Sequence, residues 1–181
     1  MNEEEKEKTK SKDFHVDNLL KKIKNFLSSD KPADVLIIKA HLLCEYYMNH
    51  ILILKEVCSA KDIESQSFFQ KVEKIKGILN FQDEIQVKTF QKISLLNKLR
   101  NKVGHELTYS LSESDVDALG YLEGRQYILD KYDVETDLER LRGILISTVV
   151  GIALVLMTMI RSTKRTIIDS NKSTASTQNE S

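Results

Sequence analysis

The chain has 181 residues with 27 basic and 27 acidic side chains, so its net charge gives no bulk attraction to nucleic acid or to a membrane surface. Only 7% of the residues are aromatic, and there are one proline and six glycines. That composition, rich in Lys, Glu, Leu and Ile, is typical of an all-helical protein. The length indicates one domain with a real core, and any electrostatic recognition must therefore be local.

The two ends of the chain are predicted to lie outside the folded domain. Residues 1–13 are charged throughout, which predicts a disordered arm and excludes a secretory signal. The polar residues 162–181 predict a disordered tail, so the domain is expected over 14–161. The two cysteines, Cys44 and Cys58, lie in an apolar helical run and form no disulfide framework. A cytoplasmic, reducing location is therefore expected.

The first half of the chain predicts three helices. A helical stripe of apolar residues begins at Phe14 and is stopped before Pro32, which suits the first turn of the next helix. The second helix, about 33–59, is apolar around most of its circumference, which predicts a place in the middle of a bundle. A polar break over 60–67 precedes a third helix over 68–79.

The few polar groups on the second helix are predicted to be structurally important. His41, Glu45 and Asn49 are each one turn apart and share a face. A buried carboxylate is costly unless it is paired. We therefore expect Glu45 to have a partner, and Arg100 is a plausible one. The spacing of His41, Glu45 and His50 does not fit a metal site.

The second half adds a central helix over 85–107 and a later helix that starts at Ser112. Ser112 and Asp115 have the spacing of a reciprocal N-terminal cap, with Leu111 able to pack on Val116. That helix is expected to run to about Tyr132. Together these elements predict an all-α, up-and-down bundle of about four to six helices.

The uncharged run from Gly143 to Ile160 has two interpretations. It lies at the lower edge of the about 20 residues that a membrane span needs, and basic residues flank it on both sides. It contains serine and threonine but no Trp or Tyr. We expect a buried closing helix of the bundle, and a single-pass membrane anchor is the alternative.

The central helix carries the candidate site. Arg100, Asn101, Gly104 and His105 form a compact polar group in a segment that has no acidic residue between Ile85 and His105. One interpretation is structural, because Arg and His near a helix end interact favourably with its dipole and last carbonyls. The other is that Arg100 and His105 act together on a phosphate. Arg binds phosphate through a bidentate fork, and His exchanges protons near neutral pH.

Such a pair is sufficient in principle for metal-independent cleavage of RNA. His105 would remove the proton from the ribose 2′-hydroxyl, and Arg100 would neutralise the charge that develops on the phosphate oxygens. No Walker loop, dinucleotide-binding glycine motif or zinc-type cysteine pair is present in the sequence, and no cofactor or metal is expected.

The Arg100-Asn101-x-x-x-His105 motif resembles that of the HEPN superfamily of small helical bundles. The stretch that follows it, HELTYSLSESDVDALG, together with the late apolar helix, resembles the group related to the mannitol-operon repressor. The resemblance covers about residues 14–160. It implies a homodimer with two copies of the motif in one cleft, with Arg100, Asn101 and His105 as catalytic residues and Glu45 supporting Arg100.

The resemblance also implies a function. Many proteins of the superfamily are metal-independent ribonucleases of toxin–antitoxin, phage-defence or RNA-processing systems, so RNA and an antitoxin or regulatory protein are the expected partners. Others are non-catalytic binding or regulatory modules, which is the alternative here. A tyrosine two residues after the histidine marks one toxin subgroup, and Leu107 occupies that position.

Overall fold

The computed structural model describes residues 16–28, 30–79, 84–106, 109, 111–120 and 137–177. Within these ranges the chain is all-helical, which confirms the predicted fold class. The described residues form seven helices, where about four to six are expected, and two of the seven are short. They are α1 (Val16–Phe26), α2 (Ala33–Leu54), α3 (Ala60–Glu64), α4 (Phe68–Ile78), α5 (Glu84–His105), α6 (Glu113–Gly120) and α7 (Asp137–Thr177). The predicted arm, 1–13, lies outside the described residues.

Helix α2 is the centre of the bundle, as its composition predicts. It packs most extensively against α7 and also contacts α5 and α4. It ends at Leu54, before the predicted end at residue 59, because the backbone of Glu56 adopts a φ of 55° that a helix cannot continue. Ser59 then caps α3 by accepting a hydrogen bond from the backbone N–H of Asp62. The predicted polar break over 60–67 therefore contains a short helix.

Helix α6 begins as the sequence predicts. The backbone N–H of Asp115 donates to Ser112 Oγ over 3.3 Å, and the backbone N–H of Ser112 donates to Asp115 Oδ2 over 3.2 Å. This reciprocal cap is confirmed, and Val116 is buried behind it. The helix is described as far as Gly120, so its predicted extension to Tyr132 lies outside the described residues.

Helix α7 closes the bundle and is much longer than the apolar run that predicts it. It continues through Thr177, whereas the sequence places a disordered tail from residue 162. The segment has no glycine or proline after Gly151, so nothing in it interrupts the helical hydrogen bonds. Gly151 itself allows close packing, since a Cβ there would lie 2.7 Å from Thr89 Oγ1 on α5.

The apolar part of α7 packs against the other helices of the bundle. By length and composition the segment Leu138–Ser162 could cross a membrane, but half of its most apolar window is buried against the other helices. Core helices of soluble proteins pass the same criteria. Arg142, at the start of the run, donates from Nε to the carbonyl of Leu27 over 2.5 Å and from Nη2 to that of Lys24 over 3.4 Å. The flanking arginine therefore caps the end of α1.

A lysine is buried where α5 meets α7. Lys92 is only 4% exposed, and its Nζ lies 3.4 Å from Ser147 Oγ. Burial lowers the pKa of Lys92 from 10.5 to about 8, with a smaller contribution from the nearby charge of Lys88. Between these two pH values the unfolded chain binds a proton at this position that the folded chain does not bind. The free energy of unfolding therefore rises with pH across that window.

We predict that Lys92→Met removes the pH dependence that Lys92 gives to the free energy of unfolding. The variant should be more stable than the parent at pH 7, by about 1–3 kcal/mol, because the folded protein no longer buries an ammonium group. The difference should shrink as the pH rises from about 8 to 10.5 and should be small above 10.5. Urea unfolding between pH 7 and pH 11 measures this, with Lys98→Met, an exposed change on the same helix, as the control. Equal pH dependence in the parent and in Lys92→Met would contradict the assignment.

Candidate functional site

The residues of the predicted motif lie at the C-terminal end of α5, on its outer side. Arg100 is half-buried, whereas Asn101 and His105 are exposed. Arg100 Nη1 donates to Asn101 Oδ1 over 3.3 Å. Because an α-helix turns by about 100° per residue, Arg100 and His105 point in directions about 140° apart. Within one copy of the chain, Arg100 and His105 therefore lie on different sides of α5. Asn101 lies between them.

The basic excess of α5 is smaller in the structure than in the sequence. Lys88 pairs with Glu84 at 2.7 Å, and Lys92 is buried. Lys102 lies 3.4 Å from Asp115 Oδ1 and above the ring of Tyr109. Among the described residues, Lys98 and Arg100 form no ion pair. The local positive charge that remains is thus concentrated beside Asn101 and His105.

Glu45, the predicted partner of Arg100, pairs with a different residue. Its Oε1 accepts a hydrogen bond from Lys71 Nζ over 2.6 Å, and the Lys71 side chain is only 4% exposed. The partner comes from α4 because Lys71 follows Phe68 by three residues and precedes Ile75 by four. That spacing places it on the inner face of α4. Glu45 therefore does not neutralise Arg100, and the guanidinium keeps its charge for an external ligand.

A second polar contact joins α2 to α5 close to the motif. His41 is buried, and its Nε2 lies 3.0 Å from Oδ1 of Asn97, one turn before Asn101. The imidazole also stacks on Phe68, with the ring centroids 4.0 Å apart. Burial lowers the pKa of His41, with Asn97 and Glu45 opposing the shift. This contact fixes the rotation of α5 against α2, and so the direction in which the motif points.

The chain that follows the motif is also held in place. Tyr109 donates to Asp115 Oδ2 over 2.5 Å, and Ser112 Oγ donates to the same oxygen over 2.6 Å. Burial alone would raise the pKa of Asp115, but the hydrogen bonds from Ser112 and Tyr109 and the charge of Lys102 outweigh it and lower that pKa to about 2. The carboxylate is therefore ionised at neutral pH and ties the end of α5 to α6.

The position of Gly104 leaves modest space at the motif. A Cβ there would lie 3.8 Å from Arg100 Nη1, which is ordinary van der Waals contact. A pocket of about 210 Å³ opens nearby, lined by Ala33, Asp34, Val103, Tyr109 and Leu111. It is smaller than the about 300 Å³ at which small-molecule sites begin. The surface around the motif therefore suits an extended ligand better than a small molecule enclosed in a pocket.

Neither cysteine pairs with another, and the described residues hold no cluster of His, Cys, Asp and Glu that could bind a metal ion. Cys44 is buried. Cys58 is only half-buried, and its Sγ accepts hydrogen bonds from Gln66 Nε2 at 3.0 Å and from Lys74 Nζ at 3.3 Å. Lys71 and Asn97, which bond Glu45 and His41 of α2, were not among the residues predicted from the sequence.

Comparison of the chain with protein-family models, with curated proteins and with solved structures finds no match. The functional assignment therefore rests on the residues themselves.

We predict that a double-mutant cycle assigns the partner of Glu45. Glu45→Gln should lower the free energy of unfolding by roughly 1–3 kcal/mol, because the buried Lys71 ammonium loses its counter-ion. Lys71→Met should cost less, and the two changes together should be strongly non-additive. The matched cycle of Glu45→Gln with Arg100→Met should be additive within about 0.5 kcal/mol. If the second cycle instead shows coupling between Glu45 and Arg100, the pairing predicted from the sequence is correct and the pairing with Lys71 is wrong.

Proposed function

We propose that this chain is a HEPN-like helical bundle that works in the cytoplasm, binds single-stranded RNA and cleaves it without a metal ion. The proposed contacts to the RNA backbone are Lys98, Arg100, Asn101 and His105. Two copies of the chain are required, because Arg100 and His105 point about 140° apart on one helix. One phosphate would then be contacted by Arg100 of one copy and His105 of the other.

The observation that carries this proposal is the availability of Arg100. Arg100 is half-buried as a residue, and its side-chain hydrogen bond among the described residues is to the neutral amide of Asn101. The acidic residue on α2 that would otherwise neutralise it is bonded to Lys71. A charged, positioned and unneutralised arginine beside an exposed histidine is what recognition of a phosphodiester requires.

The chemistry follows from the roles of the two side chains. His105 accepts the proton of a ribose 2′-hydroxyl, and the 2′-oxygen attacks the adjacent phosphorus. The bond from phosphorus to the 5′-oxygen breaks, and that oxygen takes a proton from the imidazolium. The products are a 2′,3′-cyclic phosphate and a 5′-hydroxyl. Arg100 stabilises the negative charge on the non-bridging oxygens while the bond breaks.

We predict that the purified full chain cleaves a labelled single-stranded RNA in the presence of EDTA. His105→Ala should slow cleavage by roughly 100-fold or more while RNA binding persists, because it removes the general base. Arg100→Ala should weaken both binding and cleavage. Rates are read from product bands, and folding is checked by circular dichroism.

Two controls sharpen that experiment. Lys61→Ala, an exposed change on α3, should behave as the parent. RNA with 2′-O-methyl groups should bind but remain intact, since it has no proton for His105 to remove. Cleavage by His105→Ala at the parent's rate, or cleavage of the methylated RNA, would refute the catalytic proposal.

A second candidate is a non-catalytic module that binds RNA or a regulatory protein. The observation in its favour is that His105 has no hydrogen-bond partner among the described residues, whereas a general base is usually oriented by a third group. This candidate predicts no cleavage by the parent, with RNA binding that depends on Arg100 and Lys98 but not on His105.

A further inference from the structure

Helix α2 carries an apolar strip of exposed side chains that the other described helices leave uncovered. Ile38, Leu42, Tyr46 and Ile53 are between 39% and 55% exposed, although they belong to the central helix of the bundle. All four lie on the side of α2 opposite its buried residues. We call these four residues together with Asn49 the α2 strip.

The α2 strip has the spacing of a helix–helix contact. Leu42, Tyr46, Asn49 and Ile53 follow one another at intervals of four, three and four residues, which is the alternation of a two-stranded seam. Single apolar side chains are common on the surface of soluble proteins, but a continuous row of them indicates a contact surface. The spacing therefore points to a second helix as the covering element.

Asn49 indicates which helix that is. The residue as a whole is partly exposed, and its Oδ1, which is buried within this copy, has no hydrogen-bond partner among the described residues. The oxygen and nitrogen of an amide exchange places on a simple flip, so either end can face outward. An amide both donates and accepts, and two asparagines facing each other across a two-fold axis can therefore bond one another. A polar residue of this kind within an apolar seam specifies register and the number of strands.

The hydrogen-bonding groups beside the α2 strip favour a parallel arrangement. Glu45, whose side chain is 29% exposed, borders one edge, and the exposed His50 borders the other with its ring against Tyr46. In a parallel pair, residues five apart in these two edge positions meet across the interface. Glu45 of each copy then faces His50 of the other. An antiparallel pair would instead bring Glu45 towards Glu45.

The size of the α2 strip is compatible with a dimer interface. About half of each of four large side chains is exposed, which amounts to roughly 400 Å² of apolar surface per copy. Two copies would bury on the order of 800 Å² through these four side chains, and the edge residues would have to supply the rest of the about 1,000 Å² that is the minimum for a specific interface.

We infer that the α2 strip is the surface on which a second copy of this chain docks, with the two α2 helices parallel and Asn49 paired to Asn49. This names the contact that would hold together the two copies required by the proposed ribonuclease. It depends on that proposal in no other respect, because the α2 strip and its edge charges are independent of the motif on α5.

Sedimentation equilibrium of the full chain without RNA tests the dimer. The parent should have twice the 20.8 kDa mass of one chain. Leu42→Lys should raise the dissociation constant of the dimer at least roughly tenfold, since it places a charge within the apolar seam. Phe69→Lys is the matched control, because Phe69 is 65% exposed but lies on α4. A monomeric parent, or a Phe69→Lys variant that dissociates as strongly as Leu42→Lys, would overturn the inference.

Cysteine cross-linking tests the orientation in a Cys58→Ser background, where the remaining Cys44 is buried. In a parallel pair each seam residue meets its own copy, so Leu42→Cys alone and Ile53→Cys alone should each form a covalent dimer on oxidation. If neither does so alone but a mixture of the two does, the pair is antiparallel and the inference is wrong. Both experiments are read without RNA, so their failure would leave the His105 result unaffected.

Discussion

The need to cover α2 is the constraint on which the rest of the structure depends. A helix that is apolar around most of its circumference cannot be stable in water unless other elements enclose it. Helix α7 supplies the largest contact, and α5 and α4 cover two further sides. This accounts for the packing of the uncharged run 143–160, about half of which is buried against α2 and its neighbours. It also explains why the side of α2 that stays exposed, the α2 strip, indicates a further contact.

The position of α5 against α2 gives the candidate site its direction. The hydrogen bond between His41 and Asn97 and the ion pair between Glu45 and Lys71 are polar contacts in a mostly apolar interface. Such contacts are costly when they are broken, so they specify one arrangement among the several that apolar packing would allow. With that arrangement fixed, Asn101 and His105 face solvent. The proposed chemistry therefore depends on residues that would not themselves touch RNA.

Much of the fold was predictable because its signals are local. The cap at Ser112, the start of α2 after Pro32 and the bounds of α4 follow from residues within one turn of each boundary. The end of α2 was less predictable, since the positive φ of Glu56 has no signal in its residue type. The continuation of α7 beyond residue 161 was missed because a polar composition was given more weight than the absence of helix breakers.

The residues of the candidate site were chosen from the sequence, and the structure adds the contacts that they and their neighbours make. Arg100 and His105 are recognisable from their spacing, whereas the partner of Glu45 depends on which helix lies beside α2. The position of Lys71 between Phe68 and Ile75 was the signal that could have identified it, because the three residues share the inner face of α4. Whether one copy of the chain suffices depends on the directions in which Arg100 and His105 point. The angle of about 140° between them can be interpreted only when the packing of α5 in the bundle is known.

An experimental structure of the full chain with a 2′-O-methyl RNA oligonucleotide would test the central claim most directly. We predict one phosphate within hydrogen-bond distance of Arg100 of one copy and His105 of the other, with the 2′-oxygen positioned for attack on the adjacent phosphorus. RNA bound elsewhere on the surface would contradict the account. So would a dimer in which the two motifs are buried apart, with no open cleft between them.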